Sequence, residues 1–244
     1  MIEMSHYGGF AYLYDQFMTD IPYARWAAYI DKVLQNHGIN YKSIVLDMAC
    51  GTGNITLPLA QMGYDMIGVD ISADMLSQAQ GKINNERILF LQQDMRQLDL
   101  YGTVDAVVCA CDGLNYLLNE TELENVFSRV KMFLNSGGVF IFDMNTEYKF
   151  QTFLGNKVFA AKANGAEYEW SNNFNADTGI NEYQVVFVPE NGSPFTELHR
   201  QRAYPSQTIC NLLSIAGFRT IEIHDDYSDA QPKAESIRVT YIAK

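Results

Sequence analysis

Asp47, Gly51 and Gly53 stand in the stretch VLDMACGTGN, residues 45–54, where an apolar run ends in an acid and the chain turns through two glycines. Such a turn suits a backbone that must approach a ligand closely, because glycine accepts left-handed conformations and carries no Cβ to block the approach. About twenty residues further on, the run DMIGVD ends in Asp70, a place from which a carboxylate can take the hydroxyls of a ribose. A nucleoside-containing ligand is the chemistry implied. A dinucleotide fingerprint needs a third glycine where Thr56 stands, and no G-K-[ST] phosphate loop occurs, so pyrophosphate binding is poorly supported.

These residues need elements that bring strand ends side by side. Trp26, Tyr29, Ile30, Val33 and Leu34 recur at helical spacing over residues 24–36, with Asp20 and Pro22 as start signals and Gly38 as the stop. SIVLDM then reads as a buried strand, NITLPLAQMG as a helix, DMIGVD as a strand, and SADMLSQAQGKIN as a helix capped by Ser72. ILFLQQD and VDAVVCACD follow as strands, Thr121 and Glu124 as a capping box, SGG at 136–138 as the helix end, and GVFIFDMN as a strand. This alternation predicts a doubly wound α/β domain with a mostly parallel, Rossmann-like sheet.

From about residue 157 to 203 the period changes to two. Tyr168, Trp170 and Phe174 fall on one face, with Glu167, Glu169 and Ser171 on the other, and Tyr183, Val185 and Phe187 repeat the pattern after the turn NADTG. A helix capped by Ser206 and two last strands, FRTIEIHD and ESIRVTYIAK, complete the chain. The expected organisation is one domain from 1–146 and 204–244 that begins with helical segments and is interrupted by an antiparallel β lobe over 147–203.

Composition narrows the partners. The 244 residues, 48% hydrophobic, suffice for one full core. The 17 Lys and Arg stand against 29 Asp and Glu, and the net charge of -12 repels phosphate backbones, which disfavours nucleic acid. No uncharged apolar run approaches about 18 residues and the N-terminus lacks signal-peptide character, so no membrane partner is expected and the location is read as cytoplasmic. Cys50, Cys109, Cys111 and Cys210 show no C-x-x-C spacing and read as reduced core thiols. No metal-ligand signature is present, making metal-free chemistry the expectation.

DMACGTGN resembles the first motif of class I S-adenosylmethionine-dependent methyltransferases. Asp47 matches its acid, Gly51 and Gly53 its last two glycines, and Ala49 stands where the first glycine is more usual. VDIS, QDM and CACDGLNYL (residues 109–117) are similar to the family's ribose, adenine and fourth-strand motifs. YDQFM, GGVFIFDMN and HRQRAY extend the resemblance over nearly the whole chain, to the YqeM-like bacterial subgroup. The resemblance implies S-adenosyl-L-methionine as cofactor, contacted by Tyr14, Asp47, Ala49, Gly51, Gly53, Asp70, Ile71, Met75, Asp94, Met95 and Cys111. It also implies that Tyr7 and Tyr14 belong to an N-terminal helical lid over the cofactor and that the lobe over 147–203 covers the acceptor site.

Methyl transfer from a sulfonium is an in-line displacement, so positioning and water exclusion dominate and no nucleophile triad is required. A small-molecule acceptor reacting at N or O is expected. His199, Asp112 and Tyr116 are the catalytic candidates, with Asp143 a further possible base. Each has a structural alternative: strand-end acids form turns, and His199 on a lobe strand can simply be hydrogen-bonded. Arg200 and Arg202 suit an acidic acceptor or salt bridges alike. The rival readings are a tRNA-modifying methyltransferase, a non-catalytic S-adenosylmethionine-binding module and, against the Thr56 departure, a nicotinamide-dependent oxidoreductase. The sequence leaves the oligomeric state open.

Overall fold

The computed structural model describes residues 11–84, 86–163, 166–189 and 193–244. Tyr7 lies outside them. Two helices, α1 (Ala11–Phe17) and α2 (Tyr23–Asn36), precede an alternation of β1 (Ile44–Met48), α3 (Thr56–Met62), β2 (Asp65–Asp70), α4 (Ala73–Gly81), β3 (Ile88–Gln92) and β4 (Val104–Cys109). Next come α5 (Glu120–Phe133) and β5 (Leu134–Asn145). Four strands follow, β6 (Val158–Ala163), β7 (Ala166–Asn175), β8 (Ile180–Val188) and β9 (Phe195–Arg202), before α6 (Ser206–Ile215), β10 (Ile221–Asp225) and β11 (Arg238–Ala243).

Among the described residues these strands form two sheets. The larger has the order β10-β11-β5-β4-β1-β2-β3, parallel except for the antiparallel pairings of β11 with β5 and β10. The expected doubly wound α/β fold is present, with the order reversing between β1 and β4, where ligands of such sheets bind beyond the strand ends. Both faces are apolar: Leu46 and Met48 of β1 pack under α5 and α6, and Val45 packs against α2 and α3. The second sheet, β6-β7-β8-β9, is wholly antiparallel.

Three local readings are corrected. The cap of α5 is Asn119, whose side chain accepts from the Glu122 N–H, rather than Thr121; Glu122 in turn accepts from the Leu118 N–H at 3.1 Å. That helix ends at Phe133, and SGG falls inside β5, where register advances two residues on β4 (Val104 to Ala106) against five on β5 (Leu134 to Val139). Gly137, at φ +84, takes the left-handed turn of that bulge. Ser206 opens α6 without capping it and instead accepts from the Tyr241 hydroxyl at 2.8 Å. Ser72 does cap α4, accepting from the Met75 N–H at 3.2 Å.

Candidate functional site

Parallel pairing of β1 with β2 brings Asp47 and Asp70 to the same edge of the sheet. Asp47 is buried and accepts from the Thr56 hydroxyl at 2.5 Å; burial pushes its carboxyl up to about 7, with the charge of Asp70 adding to the effect. Asp70 accepts from the N–H of Gly51 at 2.8 Å and of Ser72 at 2.9 Å, and burial raises its carboxyl as well. The third-glycine departure at Thr56 thus has a use: its hydroxyl satisfies the buried acid.

The turn after β1 is left-handed at Ala49 (φ +60), Gly51 (φ +54) and Gly53 (φ +78). A Cβ on Gly53 would stand 3.3 Å from Ala79 of α4, so that glycine permits helix packing. A Cβ on Gly51 would meet no protein atom within 4 Å. The space over Gly51 is open, which fits the close approach of a ligand. Beside it Ile71 keeps 53% of its surface exposed, an apolar platform next to Asp70 suited to a base or ribose face. These features fit a cofactor whose adenosyl group Gly51, Asp70 and Ile71 would hold and whose aminoacyl end Asp47 would hold.

The remaining cofactor candidates are more dispersed. Met75 is buried against Ala11, Leu13, Val185 and Phe187, joining α4 to α1 and the lobe. Asp94 caps a short 3-10 turn beginning at Met95. Burial opposes its charge, but the Arg96 guanidinium, 2.5 Å away, holds its carboxyl below the usual range. Met95 packs on the main core. Cys111 (φ +62) and Asp112 (φ +53) make two consecutive left-handed non-glycine residues beyond β4, a conformation that persists only where its surroundings enforce it. Tyr14 of α1 approaches Tyr23, their hydroxyls 3.5 Å apart, and burial raises its phenol well above the ordinary value.

Sequence reasoning missed several residues. Asp15 of α1 accepts from Thr52 (2.7 Å) and Asn54 (2.9 Å) of the glycine turn and pairs with Lys82 at 2.5 Å. Phe17, two residues on, meets the lobe through Tyr168, ring centroids 4.7 Å apart. Arg238, at the start of β11, pairs with Asp143 and, at 2.9 Å, with Asp112, and lies 4.8 Å over the Trp26 ring. Asp143 also accepts from the Tyr227 hydroxyl at 2.5 Å. A charged residue in the otherwise uncharged segment RVTYIA was the available signal for this cluster.

Of the catalytic candidates, Tyr116 and His199 meet and Asp112 stands apart. The Tyr116 hydroxyl lies 3.3 Å from His199 Nδ1 and 2.6 Å from the Tyr183 hydroxyl, while His199 Nε2 lies 3.1 Å from Glu197 Oε2. Asp112 receives Arg238 on one oxygen and Gln201 Nε2, at 2.7 Å, on the other. Arg200 pairs with Glu182 at 2.9 Å, and Arg202 donates to the Leu118 carbonyl at 3.0 Å. Strand β9 turns its polar side chains inward: Glu197, His199 and Gln201 are buried while Leu198 is 65% exposed. Lys149, just beyond β5, bonds Asn145 Oδ1 at 2.8 Å; burial and the nearby Arg238 bring its ammonium down to about 8. No group of three or more His, Cys, Asp or Glu among the described residues is arranged to hold a metal ion.

A methyltransferase-domain family profile matches residues 45–138, the segment from β1 into β5. The chain is 35% identical over 243 residues to YqeM of Bacillus subtilis (strain 168), covering 98% of this chain and 96% of that one. A crystal structure of an S-adenosylmethionine-dependent methyltransferase from Clostridium acetobutylicum superposes with a TM-score of 0.87 at 30% identity, covering 98% and 99% of the two chains. The sugar N-methyltransferase KedS8 of Streptoalloteichus shares the fold, with a TM-score of 0.76 at 22% identity over 94% of this chain and 91% of that one.

Fold, strand-end acids and glycine turn are those of a class I S-adenosylmethionine-dependent methyltransferase. Two bacterial relatives each match it over 98% of its length. Within the class, the chain belongs to the YqeM-like bacterial group.

Proposed function

We propose that this enzyme methylates a nitrogen or oxygen of a small molecule held between the carboxyl edge of the large sheet and the antiparallel lobe. The observation that carries this reading is the inverted strand β9. Burying Glu197, His199 and Gln201 while exposing Leu198 runs against the hydrophobic gradient, a cost expected where inward polar groups serve a ligand. They face Tyr116 and Asp112 at the end of β4, beside the strand that ends in Asp47.

S-Adenosylmethionine, when bound, supplies an electrophilic methyl on a sulfonium. The chain's own residues then have three tasks. Asp47, Gly51, Asp70 and Ile71 hold the adenosyl and aminoacyl parts, with Met75, Met95 and Asp94 bounding the adenine side. Asp15 ties α1 onto the glycine turn, and Tyr14 and Phe17 help exclude water. His199 and Tyr116 face the acceptor, and Asp112, paired with Arg238, orients the β4 turn that carries Tyr116. The acidic charge supports a small acceptor over a nucleic acid. The fold shared with a sugar N-methyltransferase is compatible with it. Four free cysteines support a cytoplasmic location, and no helix among the described residues is long and apolar enough to cross a membrane.

The test supplies methyl-tritiated S-adenosylmethionine to the purified enzyme with the low-molecular-mass fraction of a bacterial extract, a panel of amines and amino sugars, and bulk tRNA. Label is expected in a small molecule and lost with His199→Ala at unchanged cofactor affinity. Label entering tRNA instead overturns the reading.

A further inference from the structure

We propose that Glu197, His199 and Tyr116 form a proton relay in which the Tyr116 oxygen meets the acceptor, His199 is the base behind it and Glu197 is its positioning residue. The inference rests on the reading that the acceptor lies beneath the lobe.

Glu197 and His199 are two apart on β9, so the strand's pleat puts both side chains on one face, and both are buried. A buried carboxylate persists only with a partner, and His199 Nε2 supplies it at 3.1 Å. In the relay Glu197 is the acceptor, so Nε2 carries the ring proton and the Nδ1 lone pair is turned towards the Tyr116 hydroxyl at 3.3 Å. The ring is fixed from a third side by Tyr183, stacked on it with centroids 4.7 Å apart and planes at 14°. With Tyr116 donating to His199, the 2.6 Å contact with Tyr183 is a donation to the Tyr116 oxygen, which steadies negative charge there. The parts come from three segments: Glu197 and His199 from β9, Tyr183 from β8, and Tyr116 from the turn Gly113–Tyr116 after β4. The relay is therefore assembled only when lobe and sheet edge are together.

The step balances as follows. An acceptor O–H or N–H proton passes to the Tyr116 oxygen as the phenol's own proton passes to His199 Nδ1. The acceptor's freed electron pair takes the methyl carbon, the pair of the departing bond staying on sulfur. An imidazolium beside the Glu197 carboxylate remains. A neutral amine needs no such device, so the relay selects an acceptor whose reacting atom must shed a proton, a hydroxyl or an amine arriving as its ammonium.

Two measurements test it. Long-range proton–nitrogen NMR of the full chain with S-adenosylhomocysteine is expected to show His199 protonated at Nε2 and bare at Nδ1 at neutral pH; an Nδ1–H tautomer overturns the relay whether or not an acceptor is in hand. With the acceptor returned by the tritium screen, Tyr116→Phe and His199→Gln should each lower kcat about 100-fold with KM little changed, and the double variant should be no slower than either single. Glu197→Gln should lose kcat about tenfold, with Glu197→Asp recovering part of it. Multiplying losses in the double variant would overturn the relay, as would an unchanged kcat in Tyr116→Phe. Retained stabilisation by S-adenosylhomocysteine shows that each variant is folded. Failure to find a small-molecule acceptor, by contrast, counts against the reading beneath the relay and leaves the tautomer result standing.

Discussion

Lowering the pH from 8 to 6 is expected to weaken S-adenosylmethionine binding about tenfold. Asp47 is buried, and its carboxyl is pushed up to about 7. If the ionised form receives the cationic aminoacyl end of the cofactor, roughly nine-tenths of the protein is competent at pH 8 and about one-tenth at pH 6, a difference of about 1.4 kcal/mol. Isothermal titration across that range reads the slope directly. Asp70 is raised in the same direction, so Asp47→Asn is needed for assignment: it should bind weakly and lose the Asp47 part of the slope. The free protein gives an independent check. Because the folded pKa lies above the unfolded value of about 3.9, the stability linked to this group is present below that value and lost as pH rises through 7. Asp47→Asn should therefore stabilise the free enzyme at pH 8, by at most about 4 kcal/mol for a shift of roughly three units. A flat affinity from pH 6 to 8, or an unchanged slope in Asp47→Asn, refutes the assignment.

Three further outcomes follow from the geometry. Arg238→Met leaves the buried Asp143 and the half-buried Asp112 without their cation and should cost about 3–5 kcal/mol in urea denaturation, with Asp143→Asn in the same chain restoring part of it; a cost below about 1 kcal/mol contradicts the pairing. Lys149→Met removes a burdened ammonium: with the folded pKa near 8 and the unfolded one near 10.4, it should stabilise the protein at pH 7 by up to about 3 kcal/mol, and the advantage should vanish as pH rises past 10. Asp15→Ala unfastens α1 from Thr52, Asn54 and Lys82; S-adenosylmethionine affinity should fall about fivefold, roughly 1 kcal/mol, and amide exchange in α1 should rise without global destabilisation.

The sheet was legible because parallel strands buried on both faces announce themselves as apolar runs, and the strand-end acids Asp47 and Asp70 could be placed by counting from them. Helix ends were less legible. Asn119 outcompetes Thr121 as a cap because helix α5 begins two residues earlier, at Glu120, and SGG marks a bulge because the chain passes straight from α5 into β5. Strand β9 hid its facing for a plain reason: in FTELHRQR polar residues occupy both phases of the alternation, so period two cannot say which set is buried. Glu197 and Gln201 went unread on that account, although His199 was named. Arg238, Asp15 and Lys149 depend on contacts between segments far apart in the chain, for which spacing carries no signal.

The most direct test of the cofactor site is a thermal-shift titration of the wild-type chain and Asp70→Ala with S-adenosylmethionine and S-adenosylhomocysteine. Stabilisation grows with the logarithm of ligand concentration over Kd, so no acceptor is needed. Both ligands should raise the wild-type melting temperature, and Asp70→Ala, itself still folded, should lose most of that rise. An undiminished rise in Asp70→Ala would contradict a site built on the ends of β1 and β2.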